Sequence, residues 1–117
     1  MDKNADVNIA DANGVTPLHI AIYEGHIELT RLLLAKNADV NVIGSDRDTP
    51  LRLAVGKYNG EIVTMLLDAN ADVNAVNRHN STPLHVAVHD SNVEAVQMLL
   101  SKTVSYTHLT LPTNREV

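Results

Sequence analysis

Thr16-Pro17-Leu18 returns as Thr49-Pro50-Leu51 and again as Thr82-Pro83-Leu84, each copy 33 residues after the last. A second word keeps the same step: Asn4-Ala5-Asp6-Val7-Asn8, then Asn37-Ala38-Asp39-Val40-Asn41, then Asn70-Ala71-Asp72-Val73-Asn74. Two separate words hold one register without an insertion or a deletion. A fixed period of this length belongs to an array of stacked units, each of which buries its apolar face against its neighbours.

Within one period the local structure follows from residue chemistry. Thr16 suits a helix N-cap because its hydroxyl accepts an orphan backbone N–H, and Pro17 fits the first turn, where no N–H is needed. A first helix is expected over 17–24, ended by a turn at Gly25-His26, with Gly25 as a left-handed stop. A second helix over 27–36 is expected to carry Leu29, Leu32, Leu33 and Leu34 inward, leaving Glu28, Thr30 and Arg31 for solvent or for neighbouring repeats. The period then predicts first helices over 17–24, 50–57 and 83–90 and second helices over 27–36, 60–69 and 93–102. Leu32, Met65 and Met98, and likewise Leu33, Leu66 and Leu99, are expected to line up as one core. Asn, Gly and Asp around Gly44-Ser45-Asp46 suit a tight, partly left-handed turn.

With this period and these two words, the chain resembles the ankyrin repeat family from residue 1 to about residue 102. The resemblance implies an all-α fold: a solenoid of stacked antiparallel helix pairs, three of them complete, with protruding β-hairpin or turn loops. It divides the chain into a partial repeat 1–10, repeats 11–43, 44–76 and 77–103, and a non-repeat tail 104–117. It also implies that the histidine of Thr-Pro-Leu-His bonds its own threonine. That histidine is His19 and His85 in the outer repeats but Arg52 in the middle one, so the middle repeat is expected to lose the bond and be looser there. Gly25 is replaced by Tyr58 and Ser91. A positive φ at either costs about 1 kcal/mol, unless Asn59 or Asn92 takes the left-handed position.

Composition narrows the function classes. There is no Cys, Trp or Phe, so the core is aliphatic and disulfide or thiolate–metal chemistry is excluded. No apolar run approaches the roughly 20 residues of a membrane span, and the start Met1-Asp2-Lys3-Asn4 lacks a signal peptide's apolar stretch. An intracellular setting, cytoplasmic or nuclear, is expected. Net charge is −5 with scattered acids, and no Lys/Arg run or aromatic platform occurs, which argues against nucleic acid or anionic lipid as partner.

No residue pattern points to an enzyme. His85 and His89 lie four apart on one helix face, a spacing that resembles half of a zinc site. The intervening Val86-Ala87-Val88 holds no glutamate base, His85 is expected to be occupied by Thr82, and the nearby donors are only His79 and Asp90. Serines 45, 81, 91 and 101 sit in turns or at helix ends without a nucleophile elbow, and no glycine-rich phosphate loop is present. Neither cofactor, metal nor small-molecule ligand is expected. Asn41 and Asn74 close the Asp-Val-Asn words. In some ankyrin proteins such asparagines are hydroxylated by an oxygen-sensing dioxygenase, and the plainer role is a side-chain to backbone bond that supports the loop.

Function is therefore expected on the surface. The resemblance implies docking on the concave face, made by loop tips and the outer side of each first helix. Carried over by position, the first repeat offers Ala12, Asn13, Val15, Tyr23 and Glu24. The second offers Ser45, Asp46, Asp48, Gly56 and Lys57, and the third offers Arg78, His79, Ser81, His89 and Asp90. The strip is polar and mixed in charge, and only Tyr23 and Arg78 are types that commonly anchor interfaces. Three readings stay open: a protein-binding module, a structural spacer in a long array, or the ankyrin portion of a larger enzyme, channel or ubiquitin-ligase adaptor.

The ends read differently. The chain opens inside a loop word, and at 103 the register demands another Asn-Ala-Asp-Val-Asn but finds Thr103-Val104-Ser105-Tyr106-Thr107. Residues 104–113 are similar to the in-frame translation of the transposase adapter used in sequencing libraries, which marks them as non-biological. The alternative is a divergent C-terminal cap, but a tail rich in Thr and Val makes a poor helix. A fragment of a longer array is expected, with Val86, Met98 or Leu99 left open at its last repeat.

Overall fold

The computed structural model describes residues 5–44 and 48–110, with 102–110 as backbone. Six helices follow in order: α1 Pro17–Glu24, α2 Ile27–Ala35, α3 Pro50–Gly56, α4 Gly60–Asp68, α5 Pro83–His89 and α6 Val93–Thr110. Each odd helix pairs with the next even one, α1, α3 and α5 stack side by side, and α2, α4 and α6 form a second layer. No strand occurs among the described residues, so the protruding loops are closed by turn-type backbone bonds rather than by a strand ladder.

The first helices begin as the threonines dictate. Thr16, Thr49 and Thr82 are extended, and their hydroxyls accept from the amides of His19, Arg52 and His85. In the outer repeats the histidine reciprocates: Thr16 N–H donates to His19 Nδ1 at 3.1 Å and Thr82 N–H to His85 Nδ1 at 2.9 Å. Arg52 has no such reach back. Its guanidinium pairs instead with Asp48, four residues earlier, so an ion pair stands where the outer repeats have a capping box.

The turns between paired helices divide the work in two ways. Gly25 at φ 73°, Tyr58 at φ 59° and Ser91 at φ 55° all hold the left-handed position, so the asparagines do not relieve it. Asn59 and Asn92 cap the following helices instead, accepting from the amides of Ile62 at 3.1 Å and Ala95 at 3.2 Å. His26, their counterpart, gives α2 no side-chain cap.

The core corrects the expected facing of α2. Leu29 and Leu32 are exposed and Thr30 is buried. Thr30 Oγ1 donates to the His26 carbonyl at 2.8 Å, so a buried hydroxyl is satisfied within its own helix. Its register equivalent Val63 is buried and Val96 half-buried, which shows this stripe turns inward in every repeat. Leu33 is half-buried while Leu66 and Leu99 are buried, and Met65 and Met98 are half-buried beside the exposed Leu32. Depth depends on position in the stack. Leu29 is 49% exposed where its equivalent Ile62 is 0%, and Val88 is 60% exposed where Val55 is 0%. At the last repeat Val88, Val93 and Leu100 are the open apolar residues, whereas Leu99 is buried and Val86 and Met98 are half-buried.

Backbone stops explain where the second helices end. Asn37 at φ 70° and Asn70 at φ 68° turn the chain after α2 and α4. The equivalent residue is Thr103, whose β-branched side chain disfavours that conformation. Accordingly α6 does not stop near 102 but runs to Thr110, against the expectation of a non-helical tail. Residues 111–117 lie outside the described residues.

A polar ladder ties successive repeats. Asp6, Asp39 and Asp72 carboxylates accept from the amides of Asn8, Asn41 and Asn74, each at 2.9 Å. Asn8 Oδ1 accepts from Asp39 N–H and Asn41 Oδ1 from Asp72 N–H, both at 2.8 Å. The Asn41 carboxamide therefore joins two repeats, rather than supporting its own loop.

Candidate functional site

The loop before each first helix is closed at its base by one backbone bond: Asp11 N–H to the Val15 carbonyl at 3.0 Å, Gly44 to Asp48 at 2.9 Å, and Asn77 to Ser81 at 3.1 Å. In the outer repeats a side chain finishes the turn. Asp11 Oδ1 accepts from Asn13 and Val15, and Asn77 Oδ1 from His79 and Ser81. Glycine stands at the equivalent place in the middle repeat, so Gly44 brings no such acceptor. In the last repeat the loop residues His79 and Ser81 stand with His85, Val88 and His89 of α5 around one groove.

Of the strip read from sequence, Ala12, Asn13, Tyr23, Glu24, Gly56, Lys57, Arg78, His79 and His89 are exposed, and Val15, Asp48, Ser81 and Asp90 are half-buried. Ser45 and Asp46 lie outside the described residues. A groove of about 1160 Å³ runs between the middle and last repeats, gathering Asp48, Gly56, Lys57, His79, Ser81, His89 and Asp90. A smaller recess of about 300 Å³, between the first and middle repeats, takes in Val15, Tyr23, Glu24 and again Asp48. Ala12, Asn13 and Arg78 line neither.

The groove also holds residues outside the strip read from sequence. Leu53, Leu84, Val86 and Val88 give it an apolar floor, and Arg52 and His85 stand on its wall. The period relates two of them: Leu53 and Val86 share the register position of Ile20, which the structure shows exposed, so that position borders solvent wherever a neighbour does not cover it.

Several polar groups on this face have partners within the chain. Arg52 binds Asp48, and the His89 ring nitrogen Nδ1 lies 3.2 Å from Asp90 Oδ1. Lys57 Nζ sits 4.0 Å from the centre of the Tyr23 ring, a cation–π contact that bridges two repeats. His19, under the recess, is nearly fully buried, its Nε2 facing the Asp48 carbonyl without a well-formed hydrogen bond. Burial pushes its imidazole below the ordinary value, opposed by that carbonyl and by the charges of Asp48 and Asp11.

Of the two histidines four apart on α5, His85 has its Nδ1 engaged with Thr82, and His89 has its Nδ1 3.2 Å from Asp90 Oδ1. Among the described residues no group of three or more His, Asp or Glu side chains is gathered as a metal site. No helix among them is long and apolar enough to cross a membrane.

The family model for ankyrin repeats (3 copies) matches residues 42–110, and that for ankyrin repeats (many copies) matches residues 2–54. No match was found among curated proteins.

Proposed function

The chain belongs to the ankyrin repeat family, a family of protein–protein interaction modules, and we propose that it binds a protein partner along the face made by its loop tips and first helices. The observation that supports this reading is the groove between the middle and last repeats. It has an aliphatic floor at Leu53, Leu84 and Val86, and a polar rim at Lys57, His79 and His89. A floor that excludes water, surrounded by groups that fix orientation, is how protein interfaces are built. The rim side chains are exposed, so the core does not require them. Neither a catalytic role nor a cofactor enters this reading, and the composition fits an intracellular partner, cytoplasmic or nuclear.

The test compares wild-type protein with a Tyr23→Ala/Lys57→Ala/His89→Ala variant and with a form lacking residues 104–117. Partners are captured from host lysate and then titrated calorimetrically as purified proteins, with circular dichroism showing the triple variant equal to wild type in helix content and the truncated form lower only by the end of α6, residues 104–110. Loss of about 2 kcal/mol or more in the triple variant is expected, the size of a disrupted anchor, with the truncated form binding as wild type. Binding that survives the triple variant and disappears with the tail overturns the assignment.

A further inference from the structure

Gly56 is the last residue of α3, and the fold does not require a glycine there. Its φ is not positive, unlike those of Gly14 and Gly25, and a Cβ built on it would meet nothing within 4 Å. In a helix, glycine costs stability relative to alanine because it gives up more conformational freedom on folding. At the same register position the first repeat has Tyr23 and the last repeat has His89, both exposed. The row along the first-helix face is therefore ring, notch, ring. The notch opens into the groove between the middle and last repeats. It belongs to the middle repeat, which has a neighbour packed on each side, so it does not arise at either end of the stack.

The surroundings of the notch define what fits it. Leu53, three residues before Gly56 and on the same side of α3, lines the groove together with Val86 of α5, and both are half-buried. Lys57 follows Gly56 directly and is exposed. Its Nζ rests 4.0 Å from the centre of the Tyr23 ring and makes no ion pair among the described residues. Of the two acids that line the groove, Asp48 is held by Arg52, and Asp90 lies one repeat away beside His89. The charge that stands directly beside the notch is thus a cation over an aliphatic floor. We infer that a partner's chain crosses this face at Gly56 and presents there an aliphatic side chain of about leucine size beside a carboxylate. The aliphatic group sits over Gly56 on Leu53 and Val86, and the carboxylate pairs with Lys57. The inference rests on the reading of this face as protein-binding and adds the chemistry of the segment it takes. On a chain of net charge −5 a run of acids is repelled, so the contact selects a single carboxylate.

The probes are two capped peptides, acetyl-Gly-Leu-Glu-Gly-amide and acetyl-Gly-Glu-Leu-Gly-amide, each with counterparts carrying Gln or Lys in place of Glu. They are titrated to millimolar concentration against the isotope-labelled full chain, with binding read from backbone amide shifts. A glutamate peptide is expected to bind about threefold or more tighter than its glutamine counterpart, the size of one exposed ion pair, and the lysine peptide is expected to bind most weakly. Shifts are expected at residues 53–57 and 86. Gly56→Leu, which fills the notch from the chain's own side, is expected to weaken binding about tenfold or more. Lys57→Gln is expected to remove the preference for glutamate and keep the weaker binding through leucine. Gly56→Ala is expected to hold or raise the urea midpoint, and a lowered midpoint would assign this glycine to the fold and overturn the inference. It is also overturned by a wild type that binds none of the peptides or does not prefer glutamate, or by a Gly56→Leu variant that binds as wild type at unchanged helix content. A protein partner lost in the Tyr23→Ala/Lys57→Ala/His89→Ala variant but indifferent to Gly56→Leu removes this inference and leaves the reading of the face standing. Indifference to both variants removes the reading itself.

Discussion

The first and middle repeats are written on one 33-residue template, yet they reach stability by different routes. The first has glycine at the left-handed turn and no side-chain cap on α2. The middle has tyrosine at that turn and an asparagine cap on α4. Strain at Tyr58, about 1–2 kcal/mol, is of the same size as the capping bond from Asn59, typically about 1 kcal/mol. The first repeat is relaxed but uncapped, whereas the middle repeat is strained but capped and also buried on both sides. Equivalent residues in a repeat array are thus not energetically equivalent: neighbours and turn chemistry set the contribution of each.

The sharpest way to break that comparison is Ile62→Ala against Leu29→Ala. The first removes a fully buried side chain and is expected to cost about 2–5 kcal/mol. The second truncates a half-exposed side chain, and its loss should be within about 1 kcal/mol. Urea denaturation followed by circular dichroism reads both, and equal losses would mean that neighbours do not set the difference.

The turns provide the next test. Asn59→Ala is expected to lose about 1 kcal/mol, and His26→Asn to add up to that much by giving α2 the cap it lacks. Tyr58→Gly is expected to gain about 1 kcal/mol and Gly25→Ala to lose a similar amount. A Cβ at Gly25 meets only the Asn59 side-chain nitrogen Nδ2 at 3.8 Å, an ordinary contact, so any loss there reports backbone conformation rather than crowding. A neutral Tyr58→Gly would show that the middle repeat carries no strain.

The smallest effect is expected with pH. Because burial holds the His19 imidazole below its ordinary value of 6.5, the unfolded chain takes up the proton first. Its contribution is therefore full above about pH 6.5 and is lost as pH falls from there towards the lowered folded value. The urea midpoint of wild type should decline over that window more than that of His19→Gln, a difference that isolates this ring from the other histidines. Parallel declines would remove His19 from the account.

Helix positions were legible because threonine, proline and the 33-residue step leave little choice, and five of the six helices end within one residue of the expected place. The inward stripe of α2 was not. Leu29 and Leu32 are more apolar than Thr30, and only the valines one and two periods later show which stripe is buried. The loop and first-helix face was readable as a strip of exposed positions. Its groove was not, since Leu53 and Leu84 look like core residues until the spacing of α3 and α5 leaves them at a surface, and Val86 was expected to be open only at the end of the stack. The end of α6 was missed because a stop was expected from composition, while the stop in the other repeats comes from a left-handed asparagine that position 103 lacks.

The asparagine ladder also limits how a sequence of this kind can change in length. Each carboxamide takes an amide that lies 31 residues further along the chain, so the bond is a measuring rod as well as a contact. Duplicating or deleting one whole repeat returns every asparagine to an equivalent amide. An insertion or deletion between Asn8 and Asp39, or between Asn41 and Asp72, is compatible with the bond only where the chain can loop outward, at the tips beyond Asp11 and Gly44. Elsewhere it strands a carboxamide and shifts the helices by part of a turn. Growth of the gene by whole units, and drift in length at the loop tips alone, are therefore written into the hydrogen bonds.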